Sequence, residues 1–185
     1  MPSRDSIDSA VRRFRRSTVA DIDPIVRIAE AGKEFLRARG VSQWQRGTYP
    51  DRDLFLRDIR DGIGYVVSEG DSVLAVCAVT GTDEVSYRAL RSGRWLSPPN
   101  VRYATIHRCA VAPERRGEGI AGFVFASVLD MARRNGWASV RIDTHPDNAA
   151  MQAALGKAGF SRCGELVLLD GDECGDLRFG YERCV

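Results

Sequence analysis

The sequence predicts an α/β fold, a sandwich of helices around one mixed sheet. Three observations carry this. Apolar runs of strand length alternate with amphipathic stretches of helical period along the whole chain. Two strand pairs are joined by short turn-rich connections, which marks antiparallel hairpins rather than βαβ repeats. The third is size: 185 residues, 44% hydrophobic and 28% charged, suit one soluble domain. Such a chain buries roughly 70% of its unfolded surface and needs no disulfide or metal to fold.

The elements follow in order. Residues 1–10, with Ser3, Ser6 and Ser9 among mixed charges, read as a flexible arm, leaving 11–185 as a single domain. Val11 to Thr18 is a first strand despite four arginines. Ala20 to Arg39 is a helix: Asp21 can cap it, Pro24 is tolerated in a first turn, and Ile22, Ile25, Ile28, Ala29 and Leu36 recur at helical spacing. Gly40 ends it. Gln43 to Pro50 is an aromatic loop, and Asp51 to Arg60 a short helix with Leu54, Phe55 and Ile59 on one side. Tyr65 to Ser68 and Val73 to Thr80 form a hairpin through Glu69-Gly70-Asp71-Ser72. After a loop holding Trp95 and Pro98-Pro99 comes the strand Tyr103 to Val111. Ile120 to Arg134 is a helix buried along Ile120, Phe123, Val124, Val128 and Met131. Trp137 to Thr144 is a strand and Asn148 to Ala158 a helix. Strands near Phe160 to Leu169 and Asp176 to Cys184 close the chain.

Charge and cysteine content narrow the function. A net charge of +2 argues against a strongly basic nucleic-acid protein. There is no signal-like apolar run, and no stretch reaches the 18 or so residues of a membrane span. The five cysteines (Cys77, Cys109, Cys163, Cys174, Cys184) are odd in number and form no CxxC pair. The expectation is a reduced, cytoplasmic protein with no nucleic-acid or membrane partner.

The most informative stretch is Val111-Ala112-Pro113-Glu114-Arg115-Arg116-Gly117-Glu118-Gly119-Ile120-Ala121-Gly122. A strand ends, a charged turn and two glycines follow, and an amphipathic helix begins. Unpaired N–H groups and a partial positive charge make such a helix start suited to a phosphate. Glycines admit the anion to the backbone without a Cβ in the way. A tight strand-to-helix connection would favour glycine too. A P-loop fails for want of GxxxxGK(S/T). Gly117, Gly119 and Gly122 do spell GxGxxG, with Asp143 downstream. A dinucleotide fingerprint, however, sets its first glycine at the strand end, and here Ala112 to Arg116 intervene.

A third reading uses more of the chain. Arg116-Gly117-Glu118-Gly119-Ile120-Ala121 resembles the (Q/R)xxGx(G/A) motif of the GNAT N-acetyltransferase superfamily. Asn148 followed by Gly156-Lys157-Ala158-Gly159-Phe160 resembles that family's Asn-containing helix ending in KxGF. The resemblance runs from about Val11 to Cys184. It implies a mixed, mostly antiparallel sheet of about seven strands flanked by about four helices. It also implies acetyl-CoA as acetyl donor, with no metal, and direct attack by a primary amine in a ternary complex.

Carried onto this chain, the resemblance gives the pantetheine arm to the backbone of Cys109, Ala110 and Val111, which splay from a neighbouring strand. The pyrophosphate falls to Arg116, Gly117, Glu118, Gly119, Ile120 and Ala121, with Arg115 near a phosphate and Asn148 reaching the arm. His107 is the candidate for the proton route, since an imidazole titrates near neutrality; a hydrogen-bonded core histidine is the alternative. Strand alternation puts Tyr103, Thr105, His107 and Cys109 on one face. Trp44 and Tyr49 could wall the acceptor, with Tyr87 and Glu84 adding a hydroxyl and a carboxylate. Many relatives carry a general-acid Tyr seven residues after the motif Asn, where this chain has Leu155. An acyl-CoA-binding module with little turnover therefore stays open, as does a dinucleotide enzyme built on Gly117. The acceptor is a small-molecule or peptide amine; dimers are common in the family, which leaves a homodimer open.

Overall fold

The computed structural model describes residues 11–81, 84–88 and 90–185, so the arm expected over 1–10 lies outside the described residues. Its strands are β1 (Arg12–Arg16), β2 (Gly64–Glu69), β3 (Ser72–Thr80), β4 (Ser92–Gly93), β5 (Tyr103–Val111), β6 (Ser139–Thr144), β7 (Ser161–Val167) and β8 (Leu177–Cys184). Its helices are α1 (Ile22–Arg37), α2 (Arg52–Arg60), α3 (Ile120–Arg134) and α4 (Ala149–Lys157). One sheet runs β1-β2-β3-β5-β6-β8-β7-β4. Every neighbouring pair is antiparallel except β5 with β6.

The expected sandwich is present, with eight strands rather than about seven. The extra one is β4, two residues beside Ser92↔Glu165 and Gly93↔Gly164 of β7. Two residues carry no alternation to read. What permits the pairing is the absence of side chains: a Cβ on Gly93 would lie 2.0 Å from the Cys163 carbonyl oxygen.

One face of the sheet packs on α3 and α4, where Phe125, Val128, Leu129, Ile142 and Leu155 are buried. Full burial of one such side chain contributes about 1.5–3 kcal/mol. On the other face α1 and α2 cover the β1-β2-β3-β5 half through Ile25, Ile28, Phe55, Val66 and Val76. The rest of that face is closed by the excursion between β3 and β5. Its Trp95 lies over Gly180, where a Cβ would come within 2.8 Å of the ring, and against Tyr87 at 5.4 Å between centroids. Beneath it Glu182 accepts from Ser97, Ser139 and Arg141. Burial pushes the Glu182 carboxyl up, but those hydrogen bonds prevail and hold it below its ordinary value.

Asp21 does not cap α1 with its side chain. It turns back to accept from Arg15 at 2.8 Å through both oxygens and from the Thr18 N–H and hydroxyl. The Arg15 guanidinium leads in holding its carboxyl down at about 2. Among the described residues no helix is long and apolar enough to cross a membrane.

Candidate functional site

The site begins where the sheet comes apart. β5 and β6 are paired from Tyr103↔Ser139 to Ile106↔Ile142 and no further, although β5 continues to Val111 and β6 to Thr144. On its other side β5 stays bonded to β3, and the Ala112 N–H donates to the Leu74 carbonyl at 2.8 Å. Antiparallel alternation then turns the N–H groups of Cys109 and Val111 away from β3, into the gap.

A bulge corrects the expected alternation. Val76 faces Ala110 and Ala78 faces His107, so Cys77 alone stands opposite both Arg108 and Cys109. Arg108 takes the extra position at φ 53°. His107 and Cys109 therefore leave the strand on opposite faces. The Cys109 side chain joins the core under α3, while Ala110 packs toward α1. Burial pushes the Cys109 thiol up to about 12, far from a reactive thiolate.

Beyond β5, Pro113–Arg115 makes a single tight turn and the chain passes through Gly117 at φ 87° and Gly119 at φ 76°. Both are left-handed positions, and a Cβ built on either meets no atom within 4 Å. Gly119 is the N-cap of α3 and supplies no side chain, so the first N–H groups of α3 are left to a ligand. This open cradle fits a pyrophosphate held by main-chain donors. Arg115 bonds Glu69 at 2.8 Å and Glu118 at 2.9 Å. Arg116 lies 4.2 Å over the Phe35 ring, which also carries Arg39 at 3.6 Å; desolvation and Arg39 lower its pKa.

A cavity of about 1280 Å³ runs from this loop along the gap to the α1–α2 loop. Cys109, Ala110, Val111, Arg115, Arg116, Gly117, Gly119, Ile120, Ala121 and Asn148 all reach its wall. Glu118 does not: its carboxylate is bound by Arg12 and Arg115. Asn148 is tied up more than the sequence implied. Its oxygen accepts the Met151 N–H as the cap of α4, and its amide donates to Gln43 at 3.1 Å.

The far end is built from side chains. His107 Nε2 meets Glu84 Oε1 at 3.0 Å, and the Thr80 hydroxyl donates to the same oxygen at 2.7 Å. The hydrogen bond with His107 leads in holding the Glu84 carboxyl below its ordinary value. Trp44, Tyr49 and Tyr87 line this end. Trp44 also packs onto Gly32 of α1, so it serves core and cavity alike. Burial pushes the Tyr49 phenol up while Arg108 pulls it down. The Tyr87 hydroxyl donates to Asp143 at 2.7 Å. Leu155, which stands where the resemblance implied a Tyr, is fully buried. Among the described residues no group of three His, Cys, Asp or Glu could hold a metal.

Sequence reasoning missed the framework behind these groups. Arg178, fully buried, reaches Glu173 at 3.0 Å and Asp143 and Asp176 at 3.5 Å. Glu173 accepts the N–H of Trp44, which sits at φ 64°. Arg108 makes two bonds to Asp58, at 2.8 and 3.0 Å. A signal existed for Arg178: with Gly180 and Glu182 it makes one face of β8 polar, and Phe179 and Tyr181 make the other aromatic.

The acetyltransferase (GNAT) family model matches residues 29–160. The chain belongs to that family. A search of curated protein sequences finds no match. Among solved structures, a GNAT-family acetyltransferase from Streptococcus agalactiae is 28% identical, with a TM-score of 0.83 over 94% of this chain and 95% of that one. One from Listeria monocytogenes is 14% identical, with a TM-score of 0.69 over 94% and 95%. The spermidine N-acetyltransferase of Vibrio cholerae, solved with CoA and spermine, is 14% identical, with a TM-score of 0.63 over 94% and 95%. GNAT membership and this fold support acetyl transfer as the class of chemistry.

Proposed function

We propose that the protein is a cytoplasmic N-acetyltransferase that moves an acetyl group from acetyl-CoA to a primary amine by direct attack. The observation that carries the reading is the continuity of one cavity, from the unobstructed Gly117–Gly119 cradle, along the unpaired half of β5, to the His107–Glu84 pair.

Bound acetyl-CoA supplies an acetyl thioester. The chain's contribution starts with the N–H groups from Gly117 to Ala121, which hold the pyrophosphate. The N–H groups of Cys109 and Val111 face the gap and serve the pantetheine arm and the developing carbonyl charge. His107 donates through Nε2 to the ionised Glu84, which leaves Nδ1 as the accepting nitrogen. It takes the proton of the amine, and Glu84 steadies the imidazolium that results. Trp44, Tyr49 and Tyr87 wall the acceptor. Tyr87 is a poor source of a proton for the departing thiolate: burial and Asp143 raise its pKa well above 10.

The test is thiol release from acetyl-CoA with a panel of amines. His107→Gln should lower kcat by about 100-fold or more while acetyl-CoA still binds. Unchanged turnover would remove His107 from the proton route. A second reading, an acyl-CoA-binding module, is favoured by the buried Leu155. Tight acetyl-CoA binding with no thiol release for any amine would establish it.

A further inference from the structure

A second cavity, of about 830 Å³, lies next to the first, and Tyr87 belongs to both walls. Arg88, Arg94, Arg102 and Arg141 line it, and among the described residues of its lining there is no aspartate or glutamate. The imbalance starts in the sequence. Between Glu84 and Glu114 the chain has Arg88, Arg91, Arg94, Arg102 and Arg108 and no acidic residue, in a protein whose net charge is only +2.

Six arginines line the first cavity, of which Arg57, Arg116 and Arg183 have no carboxylate partner among the described residues. The other three are neutralised: Arg108 by Asp58, Arg115 by Glu69 and Glu118, and Arg178 by Asp143, Glu173 and Asp176. In the second, Arg141 is held by Glu182 and stacked on Trp95 and Tyr103, at 4.3 and 3.8 Å. Arg94 and Arg102 have no carboxylate partner among the described residues; Arg102 rests 5.8 Å over the Trp137 ring. The Trp95 N–H is already given to the Tyr87 carbonyl at 2.8 Å. The floor is therefore satisfied and fixed, and the open donors are guanidinium forks. Guanidinium groups with like charges and no counter-ion match carboxylate or phosphate oxygens, often in pairs.

We propose that this cavity binds a multiply charged anion whose phosphate or carboxylate oxygens are held by Arg94 and Arg102. Because Tyr87 closes the cavity on one side and holds Asp143 on the other, the occupant sits one side chain from the acceptor end of the first cavity. The site stands whether or not the protein transfers acetyl groups.

The experiment uses the full chain saturated with CoA, so that the glycine cradle is filled. Inorganic phosphate and tricarballylate are titrated separately, by calorimetry and by tryptophan fluorescence, with Trp95→Phe showing which signal is local. Saturable binding of either anion is expected, and the stronger of the two identifies the oxygen source. Arg94→Gln with Arg102→Gln should weaken it at least tenfold, and each single variant at least threefold. Arg27→Gln, on an exposed arginine of α1, should leave it unchanged. Both cavity arginines are exposed, so thermal melting of the variants should match the parent. If CoA does not bind, the acetyl-transfer reading fails separately, and the same titration is made on Gly119→Val protein. No saturable binding of either anion, or equal binding by the double variant, overturns the proposal.

Discussion

The two ends of the first cavity are made by opposite means. The end at the glycine loop is main chain: N–H groups of α3 and of unpaired β5, with glycines that keep side chains out. The other end is made by side chains: Glu173 accepts from the main-chain N–H of Trp44 and is held by Arg178, Arg108 is held by Asp58, and His107 by Glu84. A backbone cradle depends on conformation and is indifferent to most substitutions. A side-chain wall depends on partners and can be rewritten one residue at a time. The common donor suits the first and a varied acceptor the second.

Breaking either end should give opposite signatures. The largest effect is expected from Gly119→Val. A β-branched residue at φ 76° is strained and fills the cradle, so acetyl-CoA binding by calorimetry should fall below detection while the melting temperature drops by several degrees without loss of the fold. Next comes Arg178→Met, which leaves Glu173 and Asp143 without their shared cation. Denaturant unfolding should show a loss of about 3–5 kcal/mol. Glu84→Gln sharpens the contrast within the acceptor end. Without the carboxylate nothing offsets the charge His107 gains on taking the amine proton, so kcat for thiol release should fall by about tenfold or more while acetyl-CoA affinity holds.

Asp21 belongs to neither end and serves as a control. Asp21→Asn should cost about 1–2 kcal/mol at neutral pH. The Asp21 carboxyl is held down at about 2, so its contribution is full above the ordinary carboxylate range and is lost as pH falls through about 2. Parent and variant should therefore converge in acid. The smallest effect is expected from Arg115→Gln. Its guanidinium is matched by Glu69 and Glu118, and acetyl-CoA affinity should drop less than tenfold.

The same contrast explains what the sequence made legible. The cradle was readable because backbone conformation leaves a local mark: glycines at Gly117 and Gly119 between a strand and an amphipathic helix. The helices and long strands were readable because their burial is periodic. β4 was not, being two residues held by tertiary contact with Gly164. The Arg178 network joins β8, β6 and the turn before β8, and no local spacing announces a contact between Asp143 and Arg178. The face of Cys109 was misread because alternation assumes one residue per ladder position, and the bulge puts two there.

That bulge has a consequence for how much chemistry one strand can carry. A regular strand offers a given face every second side chain. By inserting Arg108 after His107, β5 delivers two adjacent groups to the same compartment, an imidazole and a guanidinium, without shifting what lies on either side. The insertion is additive. Deleting Arg108 would restore an unbroken ladder with His107 and Cys109 on their present faces, and would strip one cation from the acceptor wall. A single codon gained or lost here would thus alter which molecules are admitted, and its loss would leave the buried Asp58 carboxylate without its partner.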